Sequence, residues 1–249
     1  MAVKLNVSNN IFNQFKERVG QVAVLIDPDK YTNLEELDAL LKKTTFAKVD
    51  YLFIGGSTVS SNDFKLVINF IQLNSKLPLV IFPGDSHQIS SKADALLYLS
   101  LISGRNPDYL IGHHVQSAQE VYAMDIEVIP TAYILIDGGN LSSVAYVSQT
   151  TPIPRDHRSI IVNTAKAGIL QGKKMIYLDA GSGAKESIPA PVIAELSMLN
   201  SPIIVGGGIR SREEMGALRD AGANVIVIGN KLEEDLDFLL DIRDFKMSK

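Results

Sequence analysis

A chain of 249 residues, 46% apolar and 21% charged, can bury a substantial core and falls in the size range of a single α/β barrel, so one domain over residues 1–249 is the expectation. It contains no Cys, which excludes disulfides, thiolate catalysis and sulfur-ligated zinc and is compatible with a reducing cytoplasm. A formal net charge of −4, with 24 Lys and Arg scattered among 28 acidic residues, argues against a nucleic-acid partner, so an anionic ligand must be held locally by backbone amides, a metal ion or a few side chains.

The opening Met1-Ala2-Val3-Lys4-Leu5-Asn6-Val7 lacks the apolar h-region of a secretory leader, and no run approaches the roughly 18 apolar residues of a membrane span. Residues 9 to 19 carry Ile11, Phe12, Phe15 and Val19 at near-helical spacing, which predicts a short helix ahead of the first strand. Val22-Ala23-Val24-Leu25-Ile26 is an unbroken apolar run, as in a parallel strand covered on both faces, and it ends in Asp27-Pro28-Asp29-Lys30. Asn33 to Glu36 has capping-box spacing, and Leu34, Leu37 and Leu41 share one helical face after it. The second unit repeats this grammar: Tyr51-Leu52-Phe53-Ile54 runs into Gly55-Gly56-Ser57-Thr58 and then a helix with Phe64, Val67, Ile68 and Ile71.

Strand three, Leu79 to Phe82, and strand four, Ala95 to Leu99, are separated by a spacer, Ser86 to Lys92, too short for a full covering helix. Residues 107 to 122 read as helical. Ile126 to Ile136 reads as strand five, interrupted by Pro130, which predicts a kink or bulge. Leu141 to Pro154 has no clear period and is expected to be a long loop. A helix over 157 to 171 precedes strand six at Met175 to Leu178, and strand seven is Pro202 to Val205. A capping box at Ser211 to Glu214 then starts a helix with Met215 and Leu218 inward and Gly222 at its end. Strand eight is Asn224 to Ile228, and one last helix carries Leu232, Leu236, Leu239 and Leu240. Eight strands alternating with helices define an α/β protein, a (β/α)8 TIM barrel modified near the third helix, with a doubly wound sheet as the alternative. Polar residues that follow the strands then share one rim, where barrel enzymes place their active sites.

Three strand ends on that rim are rich in glycine: Tyr177-Leu178-Asp179-Ala180-Gly181-Ser182-Gly183, Val205-Gly206-Gly207-Gly208 and Ile228-Gly229-Asn230. Glycine lets backbone amides approach an oxyanion closely, and the helices that follow offer positive N-termini, so together they predict a phosphate site. Asp27 and Ser57, ending neighbouring strands, supply two oxygen donors that suit Mg2+ completed by diphosphate and water, with Asp29 the expected turn cap. Asp179 lies two residues after Tyr177, so both side chains point to the same side, toward the barrel mouth, where a carboxylate could accept a proton from a substrate hydroxyl. His87, His113, His114 and His157 show no metal-ligand spacing, and Tyr98, Tyr109, Tyr122 and Tyr133 read as core or interface aromatics.

These stretches, with Phe53-Ile54-Gly55-Gly56-Ser57, Asn106-Pro107-Asp108-Tyr109-Leu110-Ile111-Gly112 and Ile129-Pro130-Thr131-Ala132-Tyr133, resemble the geranylgeranylglyceryl phosphate synthases from strand one to strand eight, in particular the second of the family's two main groups. The resemblance implies a prenyltransferase that joins sn-glycerol 1-phosphate to a polyprenyl diphosphate, typically geranylgeranyl diphosphate, through an ether bond in phospholipid biosynthesis. It implies Mg2+ on Asp27 and Ser57, and the glycerol phosphate on the segment Tyr177, Leu178, Asp179, Ala180, Gly181, Ser182 and Gly183 together with Gly207, Gly208, Gly229 and Asn230. Tyr177 would lie beside the glycerol and Asp179 would orient or deprotonate its hydroxyl. The family commonly has glutamate in place of Asp179, and some members have lysine where this chain has Leu25. A groove beside the short spacer after strand three is the expected place for the prenyl tail. Dimers or hexamers and transient contact with a membrane surface are further expectations. Two other readings compete: a metal-independent isomerase or lyase on a sugar phosphate, with Asp27 and Asp179 as acid and base, and a non-catalytic phosphoglycerol-binding protein.

Overall fold

The computed structural model describes residues 10–31 and 33–248; Met1 to Val7, read as lacking the apolar region of a secretory leader, lie outside them. Eight strands, β1 (Gln21–Ile26), β2 (Tyr51–Ile54), β3 (Leu79–Ile81), β4 (Ala95–Leu101), β5 (Glu127–Leu135), β6 (Met175–Asp179), β7 (Ile203–Gly206) and β8 (Val225–Ile228), close into a barrel in chain order. Every pairing is parallel, including the closing pair of β1 with β8. The apolar runs become strands because both faces are covered. Ala23, Phe53, Leu97, Tyr177 and Val227 fill the interior, while Val22, Leu52, Leu96, Leu178 and Ile226 pack beneath the helices.

The bottom of the barrel is closed by α1 (Asn10–Glu17). Phe15 is fully buried, with its ring centroid 4.8 Å from that of Tyr51. Buried Glu127 at the start of β5 accepts from the N–H groups of Ile11 at 2.8 Å and Phe12 at 3.1 Å, which satisfies donors that the first turn of α1 cannot use itself. Truncating Phe15 to Ala would cost about 3–5 kcal/mol at such a site.

The outer layer comprises α2 (Leu34–Phe46), α3 (Ser61–Asn74), α4 (His113–Ala123), α5 (Ser143–Ser148), α6 (Arg158–Leu170), α7 (Ala190–Ser197), α8 (Arg212–Asp220), α9 (Asn230–Glu234) and α10 (Phe238–Met247). The expected capping box of α8 is present, with Ser211 and Glu214 each satisfying the other's backbone. At α2, Asn33 accepts from the N–H of Glu35, and its amide donates to Glu36 Oε1 at 3.0 Å. No helix lies between β3 and β4.

Three expectations are corrected. Pro130 introduces neither kink nor bulge: β4 and β5 stay in register through Leu97 with Ile129, Tyr98 with Pro130 and Leu99 with Thr131. Its missing N–H faces the β6 side, just before that ladder starts at Thr131 with Met175, so no strand hydrogen bond is lost. The stretch from 141 to 154 is not all loop, because Ser142 caps α5 by accepting from the N–H of Ala145. Residues 107 to 122 are helical as expected, opening with a π-helical turn, Asp108–Gly112, before α4. The last helix is two, broken at Asp235, whose carboxylate accepts from the N–H of Asp237 at 3.0 Å; α10 buries Leu239 and leaves Leu240 exposed.

Candidate active site

The strand C-termini open into one cleft, lined by Asp27, Ser57, Tyr177, Asp179, Gly181, Ser182, Gly183, Gly207, Gly208, Gly229 and Asn230. Leu178 and Ala180 do not line it. Side chains alternate along β6 and its extension, so when Tyr177 and Asp179 face the barrel mouth, Leu178 and Ala180 face the layer beneath the helices.

Asp179 is the last residue of β6 rather than a residue beyond it. Its Oδ2 accepts from the Tyr133 hydroxyl at 2.5 Å and its Oδ1 from the N–H of Gly181 at 2.8 Å. Burial lifts the Asp179 carboxyl above its ordinary value, while those two hydrogen bonds pull it back. The same burial, with Asp179 close by, pushes the Tyr133 and Tyr177 hydroxyls well above theirs, so both phenols stay protonated and each has a proton to donate to the carboxylate or a ligand. Phe82 stacks on Tyr177 at 4.8 Å, and Tyr133 meets both rings edge-on, at 5.7 Å from Phe82 and 5.5 Å from Tyr177. This aromatic wall fixes the Tyr177 ring, whose hydroxyl has no hydrogen-bond partner among the described residues.

Beside Asp179, which is paired with Gly206 and bonded to Gly181, the three glycine loops converge. Asn230 Oδ1 accepts from Ser182 Oγ and from the N–H of Gly183, both at 3.0 Å, tying the loop after β6 to the start of α9. The N–H groups of Gly207, Gly208 and Gly229 have no acceptor among the described residues. Gly207 has φ +85°, and a Cβ there would lie 2.8 Å from the carbonyl oxygen of Gly181, so backbone packs where a side chain cannot. The helices contribute less than expected: α8 starts only at Arg212 and α7 at Ala190, so loop amides form this cradle, with α9 alone starting at it. Arg210 and Lys231 also line the cleft but pair with Glu234 at 3.3 Å and Asp235 at 3.1 Å, and Leu25 packs beside Gly229.

Asp27 and Ser57 end β1 and β2 on the same rim. Contrary to expectation Asp27 is the turn cap, its Oδ1 accepting from the N–H of Asp29 at 3.2 Å, while Asp29 accepts from Thr58 Oγ1 at 2.9 Å. Burial raises the Asp27 carboxyl, the Asp29 amide opposes this, and the negative charges of Asp29 and Glu233 raise it further. An all-oxygen pair in an acidic surrounding, with Asp27 Oδ2 free of partners among the described residues, fits a hard cation such as Mg2+. Among the described residues no group of three His, Asp or Glu is placed to hold a metal ion.

Beyond Ser57 the cleft continues as a mainly apolar arm lined by Ile89, Leu96, Tyr98, Leu99, Leu101 and Tyr109, with Asp85, His113 and His114 also on its wall. It opens where the helix between β3 and β4 is missing, and Val144 and Val147 around α5 border it. Tyr98, Tyr109 and Tyr133 pack on the core as expected and also line the cleft. The signal for Tyr133 is parity on β5, since Tyr133 is in register with Tyr177.

A closed parallel barrel with unpaired loop amides and a buried carboxylate at its mouth has the architecture of the TIM-barrel enzymes. Residues 13–246 match the PcrB family. The chain is 46% identical over 241 residues to the geranylgeranylglyceryl phosphate synthase of Chitinophaga pinensis, covering 95% of each, and 47% identical over 218 residues to that of Flavobacterium johnsoniae, covering 87% of this chain and 89% of the relative. It superposes with TM-score 0.87 and 31% identity on the (S)-3-O-geranylgeranylglyceryl phosphate synthase of Thermoplasma acidophilum, solved with its substrate sn-glycerol-1-phosphate, covering 100% of this chain and 98% of that one. The chain belongs to the PcrB family and, within it, to the geranylgeranylglyceryl phosphate synthases, which are prenyltransferases. The isomerase and non-catalytic readings fall with that assignment.

Proposed function

We propose that the protein joins the 3-hydroxyl of sn-glycerol 1-phosphate to a polyprenyl diphosphate, geranylgeranyl diphosphate foremost, forming an ether bond and releasing diphosphate. The observation that carries this reading is the juxtaposition of the Tyr133-held carboxylate of Asp179 with the unpaired amides of Gly207, Gly208 and Gly229. Those amides, with Ser182, Gly183 and Asn230, take the phosphate; the Tyr177 hydroxyl donates to the glycerol, and Asp179 accepts the proton of the attacking hydroxyl. Rupture of an allylic C–O bond needs charge stabilisation on the departing diphosphate more than a strong base. Mg2+ supplies that charge when bound, and Asp27 and Ser57 are the residues that would hold it. The apolar arm from Ile89 to Tyr109 takes the prenyl tail and keeps water from the cationic carbon.

Family membership supports a cytoplasmic enzyme of ether phospholipid biosynthesis, working as a dimer or hexamer and exchanging its lipid substrate and product at a membrane surface. No helix among the described residues is long and apolar enough to cross a membrane, while Leu73, Tyr122 and Leu170 present apolar surface for self-association or lipid. A crystal soaked with sn-glycerol 1-phosphate and a non-hydrolysable prenyl diphosphate tests the placement. Phosphate on Gly207 and Gly208 with the tail beside Tyr98 is expected; a phosphate or tail elsewhere contradicts it.

A further inference from the structure

The segment between β3 and β4, which carries no helix, sends Gln88 inward, where it is fully buried. Its Oε1 accepts from the N–H of Gly84 at 3.0 Å and, more weakly, from that of Gly56 at 3.4 Å, and its amide donates to the carbonyl of Gly56 at 2.8 Å. The neighbouring His87 contacts the Val59 carbonyl through Nε2 at 3.0 Å. Two consecutive residues therefore clasp the loop that follows β2, and every polar atom of the Gln88 amide is spent on backbone. A buried amide satisfied in this way specifies one loop conformation, because each alternative leaves it unpaired in an apolar wall.

What that loop carries gives the clasp a function. Gly56 directly precedes Ser57, and a Cβ on Gly56 would lie 2.7 Å from Asp27 Oδ1, so the backbone Gln88 grips also abuts the Asp27 carboxylate. A Cβ on Gly84 would in turn lie 3.0 Å from the Cα of Ser57. We propose that Gln88 is a positioning residue for the cation and diphosphate site, fixing Ser57 and the wall of Asp27 at one separation through the backbone of Gly56. This inference rests on the assignment of Mg2+ to Asp27 and Ser57 above. It gives the missing helix a second consequence: the same irregular segment that opens the apolar arm also supplies the residue that orders the polar end of the cleft.

The test is binding of Mn2+ with inorganic diphosphate, followed by electron paramagnetic resonance, with sn-glycerol 1-phosphate binding by calorimetry as the measure of an intact barrel. Gln88→Leu is expected to weaken Mn2+ binding about 10–100-fold, as loss of a residue that orients a ligand does, while leaving glycerol phosphate affinity within about twofold. Gln88→Glu keeps the acceptor and loses the donor, so it should fall between the two and covers the case in which Gln88→Leu does not fold. Asp27→Asn separates the two levels of the argument. If Asp27→Asn abolishes Mn2+ binding while the folded Gln88 variants bind as wild type does, Gln88 is only a packing residue and the inference is overturned. If Asp27→Asn binds Mn2+ as tightly as wild type, the metal assignment itself is wrong and this inference goes with it.

Discussion

The Tyr133 hydroxyl meets Asp179 Oδ2 at 2.5 Å, diagonally across the seam where Tyr133 is in register with Tyr177 and Leu135 with Asp179. A protonated phenol thus holds the buried carboxylate at the mouth in a single orientation and favours its ionised form. Tyr133→Phe removes a hydrogen bond to a charged group, worth about 1.5–3 kcal/mol, so kcat/KM should drop about 10–100-fold. Because this hydrogen bond lowers the Asp179 pKa, its loss should move the acid limb of the pH profile to higher pH. An unchanged acid limb would show that Asp179 is not the titrating base.

Asp179 also sets activity against stability. Its folded pKa is raised above the ordinary 3.8, so folding disfavours the ionised form: the stabilisation is complete below the unfolded value and is lost as pH rises through the folded one. Asp179→Asn should therefore raise Tm at neutral pH, with the gain shrinking toward pH 4 or so, while lowering kcat by about 10²–10⁴-fold. Thermal melts across pH beside initial rates would check this; a variant less stable than wild type at neutral pH would count against it.

Tyr177 is held by stacking on Phe82 rather than by its hydroxyl. Tyr177→Phe should leave Tm within about a degree and raise KM for glycerol phosphate several-fold, in keeping with one lost neutral hydrogen bond of about 0.5–1.5 kcal/mol. A KM equal to that of wild type would remove Tyr177 from the glycerol site.

Gly207→Ala places a methyl group against Gly181 in a left-handed conformation, a strain of about 1–3 kcal/mol. Lower Tm and at least about tenfold weaker glycerol phosphate binding are expected, since the cradle must shift to fit the methyl. Calorimetry showing undiminished affinity would place the phosphate elsewhere.

The strands were legible because runs such as Val22 to Ile26 and Ile203 to Val205 are buried on both faces, which only a parallel sheet between helices and a packed interior requires. The glycine loops were legible because an apolar strand ending in glycine has few other uses. Contacts that depend on register were not: Tyr133 lies 46 residues from Asp179, and nothing local marks them as partners. Leu178 and Ala180 share the motif with Tyr177 and Asp179 but have the other strand parity, so their side chains pack beneath the helices. Gln88 was hidden more thoroughly, since it acts on backbone atoms, and these carry no residue signature.

The measurement that bears most directly on the central claim is transfer of label from sn-glycerol 1-phosphate into the organic phase with geranylgeranyl diphosphate, in Mg2+ and again in excess EDTA, beside Asp27→Asn. Label that depends on the metal and on Asp27 is the predicted result. Absence of label with every prenyl length, while glycerol phosphate still binds, would contradict the assignment of this cleft as the site of prenyl transfer.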